Sequence, residues 1–162
     1  MAQIAFLDLE ASGLGAHSWP IEVGWCFVGG GVQSVLIAPA DSWPRDAWNA
    51  EAAALHGISM DDLTMHGQTI GRVCHQLNEA LSGVEVYSDA PDWDGFWLYR
   101  LFSTGGVRQM FELKDFVDAV GQPLAADLRD AAAHISSDFP YSHRTTPDVL
   151  HMRAIYDYLQ RS

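Results

Sequence analysis

Two acidic residues, Asp8 and Glu10, stand two positions apart at the end of an apolar segment, QIAFLDL at residues 3–9. Side chains alternate along a β-strand, so a D-x-E pair projects both carboxylates from one face of the strand. Neighbouring carboxylates repel each other unless a cation neutralises them, which makes this pair a candidate ligand set for Mg²⁺ or Mn²⁺. The same spacing also occurs at solvated strand ends, so further carboxylates are needed to favour a metal site.

A second acidic group lies in the segment SDAPDWDGFWLYRLF at residues 88–102, between a short strand and an aromatic-rich helix. Asp89, Asp92 and Asp94 are each candidates for a third metal carboxylate. Aspartate is equally common at helix N-caps, so a structural role for any of them is an alternative. The aromatic residues that follow are more typical of a core than of a surface on which bases stack.

A third group combines a base with an acid, because His143 precedes Asp148 by five residues and a helix is expected to begin near Pro147. Histidine titrates near neutral pH and can accept a proton from water, and an aspartate in a first helical turn can complete a metal shell. This spacing alone carries little weight in a chain with seven histidines and 21 acidic residues. The order of the three groups along the chain therefore matters more than any one of them.

The elements that must position these groups follow from hydrophobic periodicity. Strands are predicted at residues 3–9, 20–28, 31–37 and 84–87, with a hairpin turn at Gly29 and Gly30 and a further edge strand at 107–113. Helices are predicted at 49–55, 69–81, 94–102, 115–120, 125–135 and 147–159. Strands first, then helices alternating with single strands, indicate the α/β class with a mixed sheet covered by helices.

Length and composition favour one compact unit. The 162 residues and 48% hydrophobic content predict a single domain spanning residues 1–162. No segment approaches the roughly 18 consecutive apolar residues of a membrane span, and the N-terminus lacks a secretory signal, so we expect a cytoplasmic protein with no membrane partner. Cys26 and Cys74 have no CxxC spacing, which predicts buried free thiols rather than a disulfide or a zinc site.

The charge balance limits how the chain can contact nucleic acid. With 21 acidic and 9 basic residues the formal net charge is −12, which argues against a broad basic surface that grips long polymers. A nuclease is still compatible with this charge, because cations held by carboxylates make a site locally positive.

Taken in order, these motifs resemble the DEDDh group of DnaQ-like 3′–5′ exonucleases, in the ribonuclease H-like superfamily. FLDLEASGL at residues 6–14 resembles the first motif of that family, IEVGWCFV at 21–28 the next strand, and LHGIS at 55–59 its His-Gly-Ile element. Aligning the family pattern Asn-Ala-x-Phe-Asp-x-x-Phe-Leu puts Asp94 on the metal-binding aspartate. Asp89 stands where asparagine is common, and it remains a rival for that role. His143 and Asp148 match the final H-x-x-x-x-D motif.

The resemblance implies a ribonuclease H-like mixed five-stranded sheet, with the first three strands antiparallel, flanked by helices. It also implies a metal-dependent exonuclease that hydrolyses single-stranded DNA or RNA 3′ ends to nucleoside 5′-monophosphates. Two Mg²⁺ or Mn²⁺ ions would be held by four carboxylates, those of Asp8, Glu10, Asp94 and Asp148. His143 would be the general base.

In such enzymes, two loops approach the terminal nucleotide. The resemblance assigns that contact to Ser12, Gly13, Leu14 and His56, although each is equally suited to a turn or to packing. Trp19 and Trp43, in predicted loops, are further candidates for stacking on bases.

Two other functions fit the sequence. The chain could be a catalytically inactive member of the fold that binds nucleic acid or a protein. It could also be an unrelated metal phosphohydrolase, or an interaction module whose acidic clusters are solvated faces. The tryptophans, if exposed, would suit a homodimer interface. The choice between DNA and RNA stays open, because no contact to a 2′ hydroxyl can be placed.

Overall fold

The computed structural model describes residues 1–121, 123 and 125–161, so Gln122, Leu124 and Ser162 of the predicted single domain lie outside the described residues. The described chain forms five β-strands: β1 (Ile4–Ala11), β2 (Pro20–Phe27), β3 (Val32–Leu36), β4 (Glu85–Ser88) and β5 (Leu113–Asp115). Its α-helices are α1 (Ala50–His56), α2 (Met60–His66), α3 (Ile70–Leu81), α4 (Pro91–Gly105), α5 (Phe116–Ala119), α6 (Ala125–Ile135) and α7 (Thr145–Arg161).

The five strands form one mixed sheet in the order β3-β2-β1-β4-β5. β1 pairs antiparallel with β2, and β2 pairs antiparallel with β3, whereas β4 runs parallel to both β1 and β5. The predicted α/β class, with a mixed five-stranded sheet whose first three strands are antiparallel, is confirmed. β1 lies at the centre, so its end is within reach of helices on both faces.

The two faces of β1 belong to two different cores. Leu7 and Leu9 pack into a cluster that includes Leu77 of α3 and Leu101 of α4. Phe6 packs instead with residues of α7, among them Met152. Because strand side chains alternate, Asp8 and Glu10 share the face of Phe6 and continue it beyond the apolar core. The strand therefore presents its two carboxylates on the side of the sheet that α7 covers.

Gly24 allows α7 to begin close to the sheet. It pairs with Asp8 in the β1–β2 register, and a Cβ atom at this position would lie 2.6 Å from the Cβ and Oγ1 atoms of Thr145. A side chain at position 24 would thus push the start of α7 away from β2. The absence of one brings the first turn of α7, which carries Asp148, next to the strand that carries Asp8.

The predicted edge strand at 107–113 is wrong, since the fifth strand is Leu113–Asp115. Side chains take the backbone groups that a strand would use. The Asn78 amide donates to the Arg108 carbonyl and accepts from the Met110 amide, both at 2.8 Å, and Gln109 donates to the Phe111 carbonyl. Such local capture of backbone groups competes with strand pairing.

Other predicted elements agree more closely with the structure. Gly29, with φ of 70°, turns the β2–β3 hairpin. The helices predicted at 49–55 and 69–81 are found at Ala50–His56 (α1) and Ile70–Leu81 (α3). α4 begins at Pro91 rather than at residue 94, with the proline in its first turn, where no amide partner is needed. α7 begins at Thr145, two residues before Pro147.

Burial settles the predictions made for tryptophan and cysteine. Trp19 and Trp43 are buried and stack on each other, so their prediction as base-stacking residues is wrong. Trp25 and Trp97 are buried as well, so four of the six tryptophans cannot contribute to the predicted homodimer interface. Cys26 and Cys74 are buried free thiols, as predicted. In the described part of the chain, no helix combines the length and the apolar character needed to cross a membrane.

Candidate active site

Carboxylates from three elements converge at the end of β1. Asp8, Glu10 and Asp148 each offer an oxygen within 4.8 Å of the others, and so do Asp8, Asp89 and Asp94. Asp8 belongs to both groups and therefore bridges them. The structure thus brings together all four carboxylates predicted to bind metal, together with the rival Asp89.

Two of these oxygens are left without a partner. Asp8 Oδ2 and Asp148 Oδ2 are buried and accept no hydrogen bond from the described residues. A buried polar atom without a partner is costly, and a buried anion is more so. The donor set of carboxylate oxygens is the one that Mg²⁺ and Mn²⁺ prefer. The residues therefore fit divalent cations, which would satisfy both unpartnered oxygens.

The electrostatics agree with this fit. Burial and the neighbouring carboxylates raise the pKa of Asp8 well above its usual value. Burial likewise raises the pKa of Glu10 and of Asp94 to about 8, and that of Asp148 to about 6. In the absence of a cation, the cluster would therefore hold protons near neutral pH. Bound cations would displace those protons and allow the carboxylates to ionise.

Asp94 is more firmly fixed than its rival Asp89. The Asp94 side chain is 1% exposed, its Oδ1 accepts from the Leu9 amide at 3.3 Å, and its Oδ2 accepts a hydrogen bond from the Ser88 hydroxyl. Asp89 is exposed and precedes the start of α4. The Leu9 contact ties the first turn of α4 to β1, between the two strand carboxylates.

His143 lies at the edge of the same cluster. It is exposed, lines the cleft that contains Asp8, Glu10 and Asp94, and packs edge-on against Tyr141 with 5.1 Å between ring centres. Its φ of 57° is in the left-handed region, which non-glycine residues rarely adopt. This conformation turns the chain into α7 immediately after the histidine.

The structure contains a partly buried ion pair next to the carboxylate cluster that was not predicted from the sequence. Glu22 of β2, 3% exposed, accepts from Arg144 Nε at 3.1 Å, from Arg144 Nη2 at 2.7 Å and from the Thr145 amide at 3.0 Å. Burial alone would raise the pKa of Glu22, but these hydrogen bonds lower it below its usual value. Glu22 is therefore ionised and neutralised by Arg144, whereas no described residue forms such an ion pair with its strand neighbour Glu10.

The cluster opens into a cleft of about 470 Å³. Its walls carry exposed apolar side chains close to the carboxylates, namely Leu14 at 68% exposure, Leu55 at 61% and Trp93 at 40%. Trp93 stacks on the buried Trp97, with 5.4 Å between ring centres. An apolar cleft with a few converging polar groups is the usual form of a ligand site.

Trp93 was not predicted from the sequence as a residue of the site, because the aromatic residues of its segment were assigned to the core. Helical periodicity does not reveal its exposure, because Trp93 lies four residues before the buried Trp97, a spacing that places both residues on one side of α4.

The residues expected to contact a terminal nucleotide separate into two groups. Gly13, Leu14 and His56 line the cleft. Ser12 is fully buried, and its hydroxyl accepts from the Trp19 amide. His56 is buried against Trp48, its Nδ1 accepts from the Ile58 amide at 3.0 Å, and its Nε2 has no partner among the described residues. His56 is therefore a buried part of the cleft wall, while Ser12 shapes the turn.

Comparisons with known proteins add to this geometry. No protein-family model matches the chain, and no curated protein matches it. Among solved structures, E. coli exonuclease I in complex with a dT13 oligonucleotide has a TM-score of 0.76 at 12% identity, over 99% of this chain and 41% of that chain. The moderately thermophilic exonuclease I of Methylocaldum szegediense has a TM-score of 0.71 at 14% identity, over 96% and 39%.

The fold is that of ribonuclease H-like exonucleases. A zinc-bound form of the E. coli exonuclease I complex with single-stranded DNA is similar as well, with a TM-score of 0.72 and 13% identity over 99% of this chain and 43% of that chain. The chain spans less than half the length of these structures, and the identity is low. The likeness therefore establishes the fold, and the function depends on the site itself.

Proposed function

We propose that the chain is a metal-dependent 3′–5′ exonuclease of the DEDDh type, acting on single-stranded DNA or RNA ends. The observation that carries this proposal is the pair of carboxylate groups that share Asp8, with unpartnered oxygens on Asp8 and Asp148. Neither a solvated acidic face nor a helix cap accounts for buried carboxylates left without donors.

Two Mg²⁺ or Mn²⁺ ions would be held by the four carboxylates of Asp8, Glu10, Asp94 and Asp148. When bound, such ions lower the pKa of a coordinated water and stabilise the charge that develops on the leaving oxygen. The carboxylates fix this chemistry to the end of β1, at the floor of the cleft.

His143 would act as the general base. It lines the cleft on the loop that leads to Asp148, so an imidazole nitrogen can accept the proton of a water held at the carboxylate cluster. Transfer of that proton lets the water oxygen form a bond to phosphorus while the bond from phosphorus to the 3′ oxygen breaks. The product would be a nucleoside 5′-monophosphate and a chain shortened by one nucleotide.

The cleft walls would orient the terminal nucleotide. Trp93 offers an aromatic face and Leu14 an exposed apolar side chain, both suited to a base. His56 would complete the wall of the cleft beside the terminal nucleotide. The solved structures of similar fold include complexes with single-stranded DNA, which supports single strands as the first substrates to test. A cytoplasmic location and a homodimer stay predictions.

The rival is a member of the fold that binds nucleic acid without hydrolysing it. The test uses single-stranded DNA and RNA with a label on the 5′ end, incubated with Mn²⁺, Mg²⁺ or EDTA, and compares wild type with Asp8→Asn. We expect stepwise shortening from the 3′ end that requires metal and is lost in the variant. Binding without shortening, with either metal and either polymer, would favour the rival.

A further inference from the structure

The cleft is short of positive charge. Among its described lining residues there is neither lysine nor arginine, and the only side chains that can become cationic are those of His56 and His143. Burial lowers the pKa of His56, so this histidine is neutral at physiological pH. Glu51, exposed in the first turn of α1, adds a negative charge to the rim. A polyanion leaving this cleft therefore meets no basic track along the described lining.

Most of the basic side chains are held by the protein itself. Five of the nine bind protein oxygens. Three arginines donate to backbone carbonyls: Arg45 to Ala40 and Trp43, Arg100 to Ala16 and His17, and Arg153 to Phe27 and Gly30. The other two form ion pairs, Arg144 with Glu22 and Lys114 with Glu85. Arg129 lines a neighbouring cavity, but it does so beside Asp89 and Asp115. These five basic groups are therefore engaged by the protein, and none of them lies among the described lining residues of the cleft.

This distribution decides how affinity depends on substrate length. Long single strands gain affinity when lysine and arginine neutralise successive phosphates and release counterions. Here the chain carries −12 instead, so phosphates beyond the metal-binding carboxylates are repelled rather than attracted. Each nucleotide added past the first few brings charge repulsion without a matching contact.

We propose that the preferred substrates of this chain are short single-stranded oligonucleotides, about two to five nucleotides long, rather than long polymers. This inference rests on the proposed exonuclease activity and adds the substrate class to it. We therefore expect the shortened oligonucleotide to dissociate after each nucleotide is removed, because few contacts hold it in the cleft.

The length dependence is measured as kcat/KM for oligonucleotides that share one 3′ sequence and range from about two to about 20 nucleotides, at fixed free Mn²⁺ and at several KCl concentrations. We expect kcat/KM to stop rising by about five nucleotides, and to stay level or increase as KCl screens the repulsion. A 20-mer preferred by about tenfold or more, with kcat/KM falling steeply as KCl rises, would overturn the inference while leaving the exonuclease intact.

A matched pair of charge reversals tests whether the charge at the cleft rim causes the preference for short substrates. Glu51→Lys adds a cation at the cleft rim, and Glu79→Lys makes the same change in net charge on the exposed face of α3, away from the cleft lining. We expect Glu51→Lys alone to raise kcat/KM for the 20-mer relative to a trimer and to make it fall with salt. Equal effects of both variants would overturn the inference. No release from any length, with either metal, would refute the exonuclease itself and this inference with it.

Discussion

The backbone amide of Ser142 donates a hydrogen bond to Asp148 Oδ1 at 2.8 Å, and Asp148 Oδ2 has no partner among the described residues. One carboxylate thus holds the loop that carries His143 and also offers an oxygen within 4.8 Å of oxygens of Asp8 and Glu10. A single side chain therefore anchors the loop of the proposed base and supplies one of the proposed metal ligands.

Asp148→Asn separates these two roles, because asparagine keeps an acceptor for the Ser142 amide but loses the charge. We expect Asp148→Asn and Asp148→Ala both to lower the metal-dependent rate by roughly 100-fold or more. Asp148→Ala should in addition be less stable than Asp148→Asn by about 1 kcal/mol, measured by urea unfolding in EDTA. A near-normal rate for Asp148→Asn would remove Asp148 from the metal site.

The stability of the metal-free chain should fall as pH rises. The pKa values of Glu10 and Asp94 are raised to about 8, and that of Asp148 to about 6. In the unfolded chain such groups titrate near about 4. The folded state therefore binds more protons than the unfolded state. The stability that these groups contribute is greatest below about pH 4 and is lost as pH rises through about 6 to 8.

Thermal unfolding in EDTA between pH 5 and pH 8 measures this loss, and a lower Tm at pH 8 is expected. Saturating Mn²⁺ should restore the Tm at pH 8, because it binds only the folded state. Asp94→Asn, which removes one of the titrating groups, should flatten the profile in EDTA. A metal-free Tm that is constant or rises over this range would contradict the assigned proton uptake.

Asp94 and Asp89 should differ in their importance. Asp94 is buried and held by Ser88 and the Leu9 amide, whereas Asp89 is exposed. We expect Asp94→Asn to abolish metal-dependent release and Asp89→Asn to reduce it by no more than about tenfold. Initial rates at several Mn²⁺ concentrations check this. The reverse order of effects would make Asp89 the third carboxylate.

Local patterns were enough to predict much of the site. Strand alternation alone gives the shared face of Asp8 and Glu10, and helix-start signals place Asp148 in the first turn of α7. The convergence of these groups came from the ordered motifs and their resemblance to a family. No local pattern indicates that the ends of β1, α4 and α7 meet.

What could not be predicted depends on contacts between distant parts of the chain. Glu22 and Arg144 are 122 residues apart, so their pairing follows from the approach of α7 to β2 at Gly24. The segment at 107–112 carries a strand-like pattern, yet Asn78 of α3 binds its backbone. In both cases a tertiary neighbour decides the outcome, and sequence periodicity does not reveal that neighbour.

The ion pair between Glu22 and Arg144 gives a prediction of its own. Arg144→Gln leaves a buried carboxylate without its cation, and we expect a loss of about 2 kcal/mol in the free energy of unfolding. The loss should be smaller than for a fully buried pair because Arg144 keeps contact with water. The double variant Glu22→Gln with Arg144→Gln should recover most of the stability, since no buried charge is left. Urea unfolding in EDTA measures both, and additive losses in the double variant would contradict the pairing.

Trp93 should contribute to substrate binding through its exposed ring. It lines the cleft at 40% exposure, supported from behind by Trp97, and base stacking on an aromatic ring is worth about 1–3 kcal/mol. We expect Trp93→Ala to lower kcat/KM by roughly tenfold, mainly through KM. Tyr99→Ala is the matched control, because Tyr99 lies on the same helix at 73% exposure and outside the cleft lining. If the two variants lowered kcat/KM equally, the effect would belong to α4 as a whole and not to stacking in the cleft.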